Sequence, residues 1–196
     1  MIACALSALI AWSASLSFKT SLGRAPLALG TPEPVAYALP YHLEAAPSRP
    51  DLATTVLNLL NQTRVAAGLA PLMPHDTLER IAQAYGQELF ARGTLSHVSP
   101  DGKTPRDRVV GAGIRVRVVG ENLAYADDVT EAHSALMASA PHRSNILYAG
   151  YRLIGIAVLD GGSDGVIVVE DFTDDSVSYT LPKWWNSPAT AATPRR

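Results

Sequence analysis

The chain has 196 residues, enough for one domain with length to spare. Hydrophobic residues make up 47% and charged residues 17%, and the mean hydropathy of +0.10 excludes a wholly disordered chain. With 16 Lys and Arg against 18 Asp and Glu the net charge is −2, so no global field draws the chain to phosphate backbones and no nucleic acid is expected as a partner. The single cysteine, Cys4, lies in an apolar N-terminus, so the folded part forms no internal disulfide and any metal site must be built from His and carboxylate.

Residues 2–16 are mainly Ala, Leu, Ile and Ser with Trp12 and no charge, followed by small residues over 13–17. This pattern makes 1–19 a signal peptide, with Cys4 inside its helix, or an N-terminal anchor. Export is the favoured reading, although the positive charge at Lys19 and Arg24 after the run, with none before it, favours keeping the C-terminal part inside. Residues 20–50 hold Pro26, Pro32, Pro34, Pro40, Pro47 and Pro50, six of the 14 prolines, with no helical or alternating period, and are expected to be an extended linker. Residues 187–196 are expected to be a flexible tail, and Trp184 and Trp185 to be buried against the domain at 51–186.

Within that domain Asp51 is expected to cap a helix carrying Leu52, Val56, Leu59 and Leu60 on one side and ending near Gly68. Asp76 with Glu79 reads as the capping box of a second helix, whose apolar stripe is Leu78, Ile81, Ala82, Tyr85, Leu89 and Phe90, stopped by Gly93. Thr104 and Pro105 open a short helix, and residues 115–119 alternate charge and valine as a half-buried strand would. Thr130 is expected to cap a helix through Ala138, and 144–148 to add a turn. Residues 153–159 and 166–172 then form two strands joined by a turn rich in Asp and Gly. Helices and strands that do not alternate strictly argue for an α+β layer fold with a small, mainly antiparallel sheet.

Five histidines are present. His42 and His75 lie in Pro-flanked loops and are expected to be solvated, and His133, one past the inward Ala132, is expected to face partly outward. His97 and His142 sit beyond helix ends among turn residues, the placement that reactive groups usually take. Glu121 follows Gly120 at the end of the alternating strand. The separations from His97 to Glu121 and from Glu121 to His142 are 24 and 21 residues, too long for a local metal motif, so only the fold can bring them together. From the residues alone, helix capping remains the default reading of all three.

The order Asn61, Arg64, Gly68; Ser96, His97, Pro100, Asp101, Gly102; Gly120, Glu121, Asn122, Leu123, Ala124; and Leu136, Ser139, His142, Arg143, Asn145, Ile146, Leu147 resembles the bacterial branch of the CAP superfamily, the SCP-like extracellular domain. The resemblance runs from about residue 52 to 173. It implies a three-layer α-β-α sandwich with an open cleft, which many members line with two histidines and two acids. His97 matches the first histidine, Glu121 the acid of the Gly-Glu-Asn motif, and His142 the second histidine. The second acid departs from the pattern, since its position is occupied by Ser139, and Glu131, two turns earlier, does not replace it. A cleft of His97, Glu121, His142 and Ser139 could in principle hold Zn2+ or another divalent cation on His97 and His142 with Glu121 nearby. Arg64, Asn122, Arg143 and Asn145 are expected to serve the structure through hydrogen bonds, and the turn at Asp101 with Arg106, Asp107 and Arg108 to order its loop. Glu170, Asp171, Asp174 and Asp175 read as a strand followed by a solvated turn rather than a calcium site.

Three functions follow. The first is an exported, non-enzymatic binding module whose cleft takes a small or lipid-like ligand or a divalent cation, touching membrane only through its N-terminus. The second is a metal-dependent hydrolase in which Glu121 activates water. Its weakness is the missing acid at Ser139 and the lack of a nucleophile beside a base. The third is a cell-surface or spore-coat structural protein. The fold alone does not choose among them, and oligomeric state is left open.

Overall fold

The computed structural model describes residues 36–40 and 45–174. The N-terminal run with Cys4, His42, Asp175, Trp184, Trp185 and the tail lie outside the described residues. Helix α1 (Pro50–Ala66) takes Pro50 at its first turn, where no amide hydrogen is needed, with Arg49 at the N-cap position. Asp51 therefore sits inside the helix rather than capping it, paired with Arg49 at 2.7 Å. Helix α2 (Asp76–Arg92) is likewise capped one residue earlier than expected. His75, far from being a loop imidazole left to solvent, accepts from Leu78 N–H through Nδ1 at 3.4 Å. Gly93 closes α2 in the left-handed conformation at φ 61°, the geometry that favours glycine there. Helix α3 (Pro105–Gly111) opens with a full capping box between Thr104 and Asp107.

Four strands form the main sheet in the order β2 (Met73–Pro74), β5 (Leu153–Asp160), β6 (Val166–Thr173), β4 (Val119–Ala126). Only the β2–β5 pair is parallel. Helices α1 and α4 (Val129–Ala138) with the short α5 (Ala140–Ile146) cover one face, packing Val56, Leu60, Leu136 and Ile146 on Ala124, Ile156, Val168 and Phe172. Helix α2 covers the other, with Ala82, Tyr85, Leu89 and Phe90 on Leu123, Leu159, Ile167 and Val169. The result is the α-β-α sandwich. Val109 of α3 joins Leu78, Ile114 and Leu153 in a smaller cluster at its end.

Because both faces are covered, the strands need no polar side, and β5 and β6 are buried almost throughout. This overturns the placing of a strand at 115–119. The paired strand starts at Val119, while the backbone amides of Arg117 and Val118 are held by the Asp174 carboxylate at 3.0 and 3.3 Å. Glu121 thus lies within β4, paired with Asp171 of β6. Asp128, and not Thr130, caps α4, accepting from the amides of Thr130 and Glu131 at 2.7 and 2.9 Å. Glu170, Asp171 and Asp174 are buried rather than solvated.

Part of the Pro-rich segment lies on the domain. β1 (Tyr37–Ala38) pairs antiparallel with β3 (Thr94–Leu95), Ala46 exchanges hydrogen bonds with the Gln87 amide at 3.1 and 2.5 Å, and Arg49 meets Asp160 at 2.6 Å. Among the described residues no helix is long and apolar enough to cross a membrane.

Candidate functional site

Antiparallel pairing sends alternate residues of β4 to opposite faces, so Glu121 and Asn122 leave the strand in opposite directions. Glu121 points to the α2 side and reaches the segment after β3: its Oε1 lies 2.7 Å from His97 Nδ1. Its Oε2 accepts from Arg108 Nη2 of α3. The Glu121 side chain is 1% exposed and the His97 ring 48%, so the imidazole faces solvent and the carboxylate stands behind it. A carboxylate accepts, so the His97 nitrogen facing it carries a proton, and in the neutral ring the lone pair is then on Nε2.

Asn122 points the other way and carries the second half of the site. Its amide donates to Glu170 Oε2 at 2.9 Å and to the His142 carbonyl at 3.3 Å. Asn145 of α5 donates to the Asn122 side-chain oxygen at 2.9 Å and to the Glu121 carbonyl at 3.2 Å. These bonds fasten α5 to β4. His142 lies inside α5 rather than beyond a helix end, with Nδ1 2.7 Å from the hydroxyl of Ser139, the residue joining α4 to α5. Burial, helped by the neighbouring charge of His97, pushes the His142 imidazole down to about 4. Ser139 is therefore beside a histidine after all, and the contact orients the ring.

The structure thus forms two contacting pairs, His97 with Glu121 and Ser139 with His142, linked through Asn122 and Asn145. Glu131 is remote from them in role, accepting from the Asp127 amide at 3.0 Å at the start of α4. His133 is buried and not outward-facing, its Nε2 3.1 Å from the Thr63 hydroxyl of α1, and burial lowers its pKa. Arg64 does serve the structure, donating to the carbonyls of Ala70, Ile146 and Tyr148 at 3.0, 2.7 and 3.1 Å.

Three further residues belong to this region and escape a reading of the sequence. Arg108, expected only to order its loop, also binds Glu121. Its guanidinium lies 3.4 Å from the centre of the Tyr85 ring and donates to the carbonyls of His97 and Lys103, each at 3.2 Å, and to the Ser99 hydroxyl at 3.3 Å. Tyr85 donates its hydroxyl to the Ser96 carbonyl. Asp171, directly across from Glu121, is fully buried, and among the described residues neither of its oxygens has a hydrogen-bond partner. Burial and then the Glu121 charge hold its carboxyl well above the usual range, against the pull of Arg108. Three residues between Thr104 and Arg108, spanning the capping box, are the only sequence hint that Arg108 turns inward from the first turns of α3.

Among the described residues no three His, Cys, Asp or Glu side chains gather as a metal-binding group. Both Glu121 oxygens are engaged, so the donors that fit a cation are the two imidazoles. His97 turns Nε2 away from Glu121, and His142 offers Nε2 when Ser139 accepts from Nδ1–H.

A three-layer sandwich carrying this arrangement defines a class. Residues 57–172 match the family "CAP: Cysteine-rich secretory protein family", more than half of the chain, and the chain belongs to that family. It is 34% identical over 109 residues to "Uncharacterized protein YkwD" of Bacillus subtilis, a match covering 55% of this chain and 42% of that protein. The chain therefore spans less than half the length of this curated relative. Among solved structures, an outer surface protein of Borrelia burgdorferi aligns over 66% of this chain and 98% of its own at TM-score 0.62 and 21% identity. An extracellular protein of Bacillus anthracis containing an SCP domain aligns over 64% of this chain and 41% of its own at TM-score 0.57 and 22% identity. At these identities the two structures bear on the fold alone.

Proposed function

We propose that the domain is a non-enzymatic binding module of an exported protein, and that His97 and His142 take a divalent cation or a small ligand through their Nε2 atoms. The observation that carries this reading is the fixing of each ring through Nδ1, by Glu121 at 2.7 Å and by Ser139 at 2.7 Å. An imidazole anchored at one nitrogen by an outer partner is oriented to bind at the other. The depressed basicity of His142 supports the same reading, because a cation meets no competing proton there at neutral pH. Turnover is disfavoured by the state of Glu121. A general base must reach a water, and both oxygens of this carboxylate are occupied behind the His97 ring. Export is supported by the apolar N-terminal run. A lipid-like ligand remains within the proposal as an organic occupant of the same histidines.

Zinc titration of the full chain by calorimetry tests it. The wild type is expected to bind about one equivalent, and the His97→Ala, His142→Ala double variant to lose at least tenfold in affinity while keeping its circular dichroism. Equal binding by the folded double variant, or none by the wild type, would remove the cation from the proposal.

A further inference from the structure

We infer that Arg108 is the positioning residue of this site: its guanidinium fixes Glu121 against His97 and so decides which ring nitrogen His97 presents to a ligand. The inference rests on reading His97 as the ligand-facing group, whatever the ligand. A glutamate on a strand can turn about three bonds, and a single hydrogen bond to a half-exposed ring does little to stop it. Arg108 holds the second oxygen, leaving the carboxylate one orientation. Among the described residues no other cation holds that oxygen: the neighbour across the strand pair is Asp171, an acid that offers Glu121 no positive charge.

The same guanidinium fixes the other half of the contact. It donates to the His97 and Lys103 carbonyls and the Ser99 hydroxyl, so the segment bearing His97 is tied to the group that ties Glu121. Arg108 itself lies over the face of the Tyr85 ring, on a helix packed against the sheet. One planar cation thus sets the distance between an imidazole on a loop and a carboxylate on a strand. With Glu121 immobile and accepting, His97 keeps its proton on Nδ1 and its lone pair on Nε2. A lysine offers one ammonium on a flexible stem and cannot make all of these bonds in one geometry.

The test uses the full chain labelled with 15N histidine, at neutral pH, for the wild type, Arg108→Met, Arg108→Lys and the control Arg106→Met. Arg106 is an exposed arginine of the same helix that donates only to the carbonyls of Val116 and Arg117, at 3.3 and 3.1 Å. In the wild type and in Arg106→Met the His97 ring shifts are expected to report the Nδ1–H form. Arg108→Met is expected to show both tautomers and about tenfold weaker zinc binding, with Arg108→Lys between the two. A folded Arg108→Met protein that keeps the wild-type tautomer overturns the inference. If that variant does not fold, an Arg108→Lys protein with wild-type shifts overturns it equally. Failure of the wild type to bind zinc counts against the cation alone, since the tautomer is read without any ligand.

Discussion

Arg64 joins α1 to the far end of α5 through three backbone carbonyls, and it is fully buried. The Ile146 carbonyl ends α5 and those of Ala70 and Tyr148 lie in the connecting loops, so the guanidinium serves groups at the ends of regular structure. Arg64→Met keeps most of the volume and removes every donor, leaving the Ala70 and Ile146 carbonyls without this partner. A loss of about 3 kcal/mol is expected from the urea midpoint, and a loss under about 1 kcal/mol would mean that water replaces the guanidinium. Residues of this kind were legible: Arg64, Asn122 and Asn145 stand beside motif positions and make the hydrogen bonds expected of them. Arg108 and Asp171 were not. Arg108 sits in a charged run of alternating sign that reads as a solvated loop. Asp171 belongs to an acidic stretch whose burial depends on β6 being the inner strand of a covered sheet, a fact of topology and not of local pattern.

At the scale of elements, the seating of α2 on the sheet depends on one missing side chain. A methyl group at Gly155 of β5 would overlap the backbone of Leu78 and Glu79, so α2 approaches closest where the strand has no Cβ. Gly155→Ala is expected to cost about 2 kcal/mol or more, because the backbone of a helix cannot yield as the end of a side chain can. Gly111→Ala is the matched control. That glycine ends α3 with nothing near its Cβ position, and the change is expected to be neutral or stabilising by less than about 1 kcal/mol. Equal denaturation midpoints for the two variants would refute the close approach. The helices were readable because their apolar periods and stop signals are local. The strand at 115–119 misled because alternation marks a sheet with one wet face, whereas both faces here are covered. The N-caps slipped by a residue or two, as at His75 and Asp128, where more than one side chain nearby is able to cap.

For the whole molecule, stability against pH is set by buried groups whose effects run in opposite directions. Burial raises Glu170 from 4.5 to about 7, only partly offset by the Asn122 hydrogen bond. Between those values the unfolded chain gives up this proton while the folded one keeps it, so the contribution is complete below about pH 4.5 and falls away as pH rises toward 7. Asp171, held well above its usual value by burial and by Glu121, acts in the same sense. His142, lowered from 6.5 to about 4, acts in the opposite sense, because the unfolded imidazole takes up a proton that the folded one refuses, and stability is lost as pH falls through that window. The two windows overlap, so the wild-type profile is flatter than either group alone would make it. Glu170→Gln separates them. It removes the acid's penalty and retains an oxygen to accept from Asn122. The variant is expected to match the wild type near pH 4 and to exceed it by up to about 3 kcal/mol at pH 8, the worth of a shift of this size. Urea denaturation of both proteins across that range measures the difference, and a difference independent of pH would show that Glu170 ionises in the folded chain as it does in water.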